Sequence, residues 1–413
     1  MEKSDPVPDS CFDKELQRRL RVKQVKVTDI VDIRIQNVSS IIQAVRFESG
    51  ITKKDIAEKT NLSFATVSNM CNELVDKGVL MTTRDSALSV GRTPLMLRLR
   101  YNHFLVIAIN LQLRGVMDIA VMNLRNEIIA SQSYEIDENM EAVQMIRFAK
   151  RQFDADLKNR ADSDAEYIGV GVAVSSIYDI HTSRLICCAI PQLENVAMKA
   201  TVEQEFGLKA FIDNEANLCA RALSAGTDRE ENGIYIHASQ GVGIGIKSRG
   251  NLLRGANGYA GEVAHIPLGN PEHVCRGCGL RGCIERELCM DGILENYLGV
   301  FPEDRFSGWQ QFLEEIRGHK EAAMHTAHEA GHYLGVLSGM LIGLFDPDTV
   351  YIGGEIAALE DQIKEEVLRE VHMRCGEWRR TVPELVWDHN SPERINVGIS
   401  EKIFTQWHPT ETA

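Results

Sequence analysis

At 413 residues, 44% of them hydrophobic, the chain can build two or three separately cored domains, and no apolar run approaches the ~20 residues that a membrane span requires. Ten cysteines without a regular disulfide framework, and a polar start (Met1 to Pro6) that lacks a secretory apolar core, point to a reduced, cytoplasmic protein with no membrane insertion. The net charge of −14 hides a division: residues 1–100 hold 17 Lys and Arg against 13 Asp and Glu, and the remainder 28 against 46, so a basic head able to meet polyanions precedes an acidic body.

Residues 1–35 form an N-terminal extension that alternates charged and β-branched residues and defines no element. Its basic run (Arg18, Arg19, Arg21, Lys23, Lys26) reads most simply as a solvated helix face. Residues 36–100 read as a winged helix-turn-helix domain. Val38, Ile41, Ile42 and Val45 keep helical spacing between Asn37 and Glu48, and Gly50 closes that helix. Thr52 to Asp55 has the pattern of a capping box, opening a short helix with Ile56 and Ala57 inward. After a turn at Asn61 and Leu62, Ser63 can cap a second helix that buries Val67, Cys71, Leu74 and Val75.

The opposite face of that second helix carries Ala65, Thr66, Ser68, Asn69 and Asn72. An ordinary solvated helix would place Lys and Glu there. A helix entering the major groove of double-stranded DNA instead needs small residues for close approach, and Ser, Thr or Asn for base edges and phosphates. Residues 80–100 form a two-stranded wing, with Arg92 between Gly91 and Pro94 at its tip, placed to reach the minor groove or the backbone. A helix pair docking a protein is the alternative. Turn, face, wing and basic balance together favour an operator read by Ser63, Ala65, Thr66, Ser68, Asn69, Asn72 and Arg92.

Residues 101–413 alternate strands and helices. Strand-length apolar runs at 103–110, 116–122 and 127–134 suggest a three-stranded meander; a helix over 140–158 leads to a buried strand at 167–174. Further strands (210–212, 233–238, 242–247, 349–352) and helices (216–225, 323–344) complete an α/β pattern with mixed sheets covered by helices. Gly-rich turns at Gly241, Gly243 and Gly245, and at Gly353 and Gly354, could approach a ligand closely or serve as plain turns.

The densest chemistry lies between Glu262 and Glu285, where His265, Cys275, Cys278 and Cys283 fall within a short, glycine-rich window. Buried free thiols are the bland reading. A CxxC turn with a third thiol and an imidazole is the ligand set of a tetrahedral Zn²⁺ site, and four protein ligands leave no open position for a catalytic water. The metal is therefore expected to be structural, holding in place the loop that carries Glu262, His265 and Glu285. Glycines around Glu262 (Gly255, Gly258, Gly261) suit a close-fitting loop better than a solvated one.

In this order, these segments resemble the ROK family (repressors, open reading frames and sugar kinases) in its N-acetylglucosamine/xylose repressor type, over nearly the whole chain from about Asn37. Its most specific match is Glu262-Val-Ala-His265 with the cysteine cluster and Glu285. The resemblance implies a winged helix ahead of a two-lobed, actin-like, hexokinase-type (ribonuclease H-like) α/β body with sugar in the cleft. It also implies zinc at His265, Cys275, Cys278 and Cys283, sugar contacts at Asn214, Glu215, Glu262, His265 and Glu285, and a homodimer or dimer of dimers. The first two cysteines stand one residue further apart than the family pattern, and Cys289 lies close enough in sequence to substitute as a ligand.

Departures from the kinase pattern decide between enzyme and regulator. Kinases of the family open the first strand pair with Asp-x-Gly-x-Thr, whereas this chain has Asn110-Leu-Gln112-Leu-Arg114. A turn that cradles phosphate needs close backbone approach, which Gln112 obstructs. Glu215 stands where the kinases have a catalytic Asp, one methylene longer, and Ser175-Ser176 replaces the usual Pro-Gly. The expectation is a non-enzymatic repressor of carbohydrate-utilisation genes, relaxed when a sugar or sugar phosphate closes the lobes. A sugar kinase, or a repressor controlled by a protein partner, is the alternative.

Overall fold

The structure, a computed structural model, describes residues 30–84, 95–179, 181–223, 225, 231–302, 308–376, 379 and 381–409. The head consists of α1 (Ile30–Arg46), α2 (Lys53–Thr60) and α3 (Phe64–Asp76), followed by β1 (Leu80–Arg84) and β2 (Leu95–Leu99), which pair antiparallel with Leu80 opposite Leu99. The capping box forms: Asp55 N donates to Thr52 Oγ1 at 3.2 Å and Thr52 N to Asp55 Oδ2 at 3.2 Å. Asn61 adopts the left-handed conformation (φ 56°) that ends α2, and Ser63 Oγ accepts from Thr66 N at 3.1 Å to begin α3. Helix α1 begins at Ile30, ahead of the expected Asn37. Ile33 is 46% exposed, so apolar periodicity gives no signal there, and the added turn is tied by Arg34 to Glu73 at 2.5 Å.

The body has two lobes, each with a five-stranded sheet. Lobe I contains β3 (Phe104–Leu111), β4 (Val116–Asn123), β5 (Ile128–Glu135), β6 (Glu166–Val174) and β9 (Ala210–Asn214) in the order β5-β4-β3-β6-β9. A short hairpin, β7 (Ile177–Asp179) and β8 (Arg184–Ile186), sits beside it. Lobe II contains β10 (Gly233–Ala238), β11 (Val242–Ser248), β12 (Asn251–Leu252), β13 (Thr349–Gly353) and β14 (Glu384–Asp388) in the order β12-β11-β10-β13-β14. Counted along the chain within each lobe, both orders are 3-2-1-4-5, with the first three strands antiparallel and the last two added parallel. A single topology used twice is the actin-like arrangement expected from the resemblance.

Helices cover both sheets. In lobe I, α4 (Ala142–Gln152) and α5 (Met198–Phe206) pack on the core of β3, β4 and β6; a π-helical turn over Phe153–Leu157 continues α4, so the expected helix over 140–158 is not α-helical throughout. In lobe II, α7 (Glu285–Leu288), α8 (Met290–Val300), α9 (Trp309–Arg317), α10 (Glu321–Phe345) and α11 (Glu360–Cys375) form the counterpart. Between the lobes lie α6 (Glu215–Ala222) and α12 (Ser391–Phe404), whose Leu218, Ile395, Ile399 and Ile403 are at most 1% exposed. Each such burial contributes roughly 1.5–3 kcal/mol, so α12 is fixed mainly by its isoleucine row, spaced by four.

Gly245 serves this seam: a Cβ on it would stand 2.1 Å from Ala216 O of α6. Head and body are continuous in packing, since the head core around Ile41, Leu74 and Leu97 also takes in Phe104, Leu124 and Phe404. Among the described residues no helix is long and apolar enough to cross a membrane.

Candidate functional site

The strand and helix ends facing the gap between the lobes gather the residues that the sequence singles out. Asn214 ends β9 and caps α6: its Oδ1 accepts from Asn217 N at 2.8 Å while its Nδ2 reaches Glu262 Oε1 at 3.4 Å. Glu215 follows, 3% exposed, with Oε2 lacking any partner. Burial, reinforced by Glu262 and Asp213, pushes the Glu215 carboxyl up to about 7; burial, then Glu285 and Asp213, does the same to Glu262. Asn214, Glu215, Glu262, His265 and Glu285 all line a recess of about 50 Å³, floored by Ser175, Ser176 and Gly241. Next to it is a cavity of about 600 Å³ that shares Cys187, His265 and Glu285. The recess alone is small for a sugar ring, so a ligand held there must extend into the larger space.

Behind the recess, Asp213 is 2% exposed and fully engaged. Lys402 Nζ donates to it at 2.8 Å, Arg254 grips it with both nitrogens (2.8 Å for one) and Asn217 Nδ2 adds a bond at 3.4 Å. Burial alone would raise its pKa, but Lys402 and Arg254 override it and hold the carboxyl far below its usual range. No local pattern announces this triad, because Lys402 lies 189 residues and Arg254 41 residues from Asp213.

The ligand atoms of His265, Cys275, Cys278 and Cys283 lie within 4.8 Å of one another. Cys278 Sγ is 3.5 Å from Cys283 Sγ, and Cys275 Sγ 3.7 Å from His265 Nδ1. Four ligands at about 2.0–2.3 Å from a tetrahedral Zn²⁺ stand roughly 3.4–3.8 Å apart, so these separations fit such an ion. Cys275 and Cys283 are buried, Cys278 is exposed, and Glu285 Oε2 lies 3.3 Å from Cys275 Sγ and 3.5 Å from His265 Nδ1. Cys289 does not join the cluster: its Sγ accepts from Gly292 N at 3.3 Å and caps α8.

The turn after β3 is occupied by its own side chains. Gln112 is 4% exposed; its N donates to Asn110 Oδ1 at 3.2 Å, and its Oε1 accepts from His237 Nε2 on β10 at 3.0 Å. Burial lowers the His237 pKa to about 4, so the ring is neutral near neutral pH. Arg114 leans across the cleft to Asp291 at 3.2 Å and donates to Ala189 O at 3.2 Å.

On the head, α3 presents Ser63, Ala65, Asn69 and Asn72 exposed, and Thr66 and Ser68 partly so; Arg92 lies outside the described residues. Ser63 and Thr66 share a hydroxyl contact at 2.9 Å. Lys53, which sequence reasoning passed over as a first-turn residue of α2, donates to Asn72 Oδ1 at 2.7 Å and Ser68 Oγ at 3.2 Å, adding a cation to this face. At the head–body joint Arg46, 1% exposed, bonds Leu124 O, Asn126 Oδ1 (2.8 Å) and Glu401 (2.8 Å), with its guanidinium 4.0 Å from the Phe404 ring centre.

Two lobes of one topology around a polar cleft, preceded by a winged helix-turn-helix, define a hexokinase-type body joined to a DNA-binding module. Residues 115–385 match the ROK family and residues 34–81 the winged helix-turn-helix DNA-binding family. The chain belongs to the ROK family. It is 27% identical over 337 residues to the xylose repressor of Caldicellulosiruptor bescii, covering 78% of this chain and 83% of that one. It is 23% identical over 352 residues to the N-acetylglucosamine repressor of Escherichia coli O157:H7, covering 81% and 84%. Among solved structures it superposes on a ROK family transcriptional regulator, a homolog of the E. coli MLC protein, with TM-score 0.77 at 18% identity over 90% of this chain and 97% of that one. A ROK family glucokinase from Streptomyces griseus, in complex with glucose and AMPPNP, gives TM-score 0.61 at 20% identity over 72% and 98%.

Proposed function

We propose that this protein is a sequence-specific DNA-binding transcriptional regulator, a repressor of carbohydrate-utilisation genes, whose operator affinity is set by a sugar or sugar phosphate held between the lobes. One observation carries the reading: the same chain joins an exposed Ser/Asn helix face to a cleft in which Gln112 is buried in the turn after β3 against His237. Relatives named as xylose and N-acetylglucosamine repressors support it, as does the shared fold of a ROK regulator.

Asn214, Glu215, Glu262, His265 and Glu285 are the sugar contacts in this reading. Carboxylates accept from vicinal hydroxyls, and an imidazole that binds metal through one nitrogen still offers the other. His265, Cys275, Cys278 and Cys283 would hold a structural Zn²⁺ that fixes the loop carrying Glu262 and Glu285. The protein is not an enzyme in this reading, because nucleotide phosphate has no seat at Asn110 to Arg114 and Glu215 replaces the shorter base. Closure of the lobes around the sugar moves paired heads of a homodimer, or dimer of dimers, out of register with two half-sites; Ser63, Ala65, Thr66, Ser68, Asn69, Asn72 and Arg92 make the DNA contacts. A ligand preference of ~3–4 kcal/mol for the closed state changes the ratio of states several-hundred-fold.

The test pairs two measurements on the full chain: selection of binding sites from random duplex DNA, and ATP turnover with a panel of hexoses. A discrete site that Asn69→Ala weakens, with no ATP consumption, supports the regulator. Phosphorylation of any hexose would overturn it. Metal analysis should find one zinc per chain, lost in Cys283→Ser; a metal-free wild-type chain that binds DNA and sugar normally would remove zinc from the account.

A further inference from the structure

The charges around the cleft say which kind of sugar it takes. Each arginine of the outer cavity is already engaged. Arg114 bridges Asp291 at 3.2 Å, Arg286 bridges Glu295 at 2.9 Å and donates to Asn296 Oδ1 at 2.6 Å, and Arg276 is paired with the same Glu295. No lysine is among the described residues that line either space, whereas Glu138 and Glu194 add carboxylates to the outer one. Two cations behind the recess, Lys402 and Arg254, are closed on Asp213, and Arg221 lines neither space.

Unfilled hydrogen-bonding capacity points the same way. Among the described residues of the cleft wall, Glu215 Oε2 and Gln240 Oε1 are buried acceptors with neither a hydrogen-bond donor nor an ion-pair partner. A sugar hydroxyl is a donor. A phosphate dianion offers only acceptors and needs arginine forks, lysines or a nest of backbone N–H groups, and here it would have to take an arginine from its carboxylate partner. Like charges brought together in a site of low dielectric repel one another and act as a filter.

We propose that the cleft selects an unphosphorylated sugar and discriminates against the phosphate ester of that same sugar. This rests on the sugar-responsive reading above and narrows it.

The experiment is a thermal-shift titration of the full chain at pH 8 with D-xylose, D-glucose and N-acetyl-D-glucosamine, each beside its phosphate monoester, with inorganic phosphate as control. At least one free sugar raises the melting temperature, and its ester binds about tenfold more weakly or worse. In Asp291→Asn, which frees Arg114, the ester gains on the free sugar. An ester that binds as well as its parent overturns the selection while leaving the sugar reading intact, and an unchanged ratio in Asp291→Asn overturns its charge basis. No shift with any of the six compounds removes both the selection and the sugar reading beneath it.

Discussion

The head–body joint and the cleft are both buried and polar, yet they are completed to different degrees. At the joint every guanidinium nitrogen of Arg46 has an acceptor, and its face rests on Phe404. In the cleft Glu215 is equally hidden, but one of its oxygens has no donor and its pKa is pushed up to about 7. A satisfied buried charge is bound into the fold, and a buried carboxylate without its donor costs stability until something supplies one. The first arrangement is finished within the chain; the second is suited to a visiting hydroxyl.

The largest effect expected from breaking this contrast is at the joint. Arg46→Ala takes the guanidinium from Asn126 Oδ1, Leu124 O and Glu401, leaving Glu401 only the Asn126 amide at 2.7 Å, and should cost about 3–5 kcal/mol, read from urea unfolding followed at a head and a body probe. Arg46→Lys should recover only part, because an ammonium cannot reproduce the three-sided fork. A loss below about 1 kcal/mol for the alanine variant, the range of an exposed pair, would show that the joint is ornamental.

The joint was also the least legible region of the sequence. Arg46 closes an amphipathic helix, where a basic residue needs no explanation beyond the helix dipole, and its acceptors Leu124 and Asn126 lie 78 and 80 residues away. The cluster of Cys275, Cys278 and Cys283 was readable because its three thiols are close together in sequence, and the fold brings His265 to them. Caps at Thr52 and Ser63 were readable for the same reason. The repeated 3-2-1-4-5 order leaves no sequence repeat, since strand order is set by sheet pairing and not by residue identity. Gly245 was left open between a ligand and a plain turn, and it admits a helix instead, which sequence cannot tell from either.

The next effect sharpens the cleft side. For Glu215 the folded pKa (about 7) lies above the ordinary 4.5, so the folded state keeps a proton that the unfolded state has released. Its contribution is therefore fully present below about pH 4.5 and is lost as pH rises through about 7, on the order of 3 kcal/mol. Glu262 behaves alike, while His237, lowered to about 4, works in the opposite sense over part of the window. The difference between wild type and Glu215→Gln isolates the first of these: the variant should gain on the wild type between pH 5 and pH 8. Parallel stability–pH curves would mean that Glu215 is solvated after all.

The smallest effect concerns what lies between the two regions. Consecutive residues of α12 serve them both: Glu401 receives Arg46, and Lys402 donates to Asp213 at 2.8 Å and to Ile212 O at 3.0 Å, immediately ahead of Asn214 and Glu215. A shift of the cleft wall on ligand binding would thus reach the head through one helix turn, locked by Ile395, Ile399 and Ile403. Lys402→Met touches neither DNA nor sugar and leaves Asp213 its Arg254 partner. In the regulator reading, sugar and operator should each bind the variant alone nearly as before, while the change that one causes in the affinity of the other falls by about 0.5–2 kcal/mol. Coupling free energy is reciprocal, so the same loss must appear whether the sugar is titrated with DNA present or the DNA with sugar present. Full coupling in the variant would mean that the signal bypasses α12, and a loss seen from one side only would mean that one of the two bindings was itself damaged.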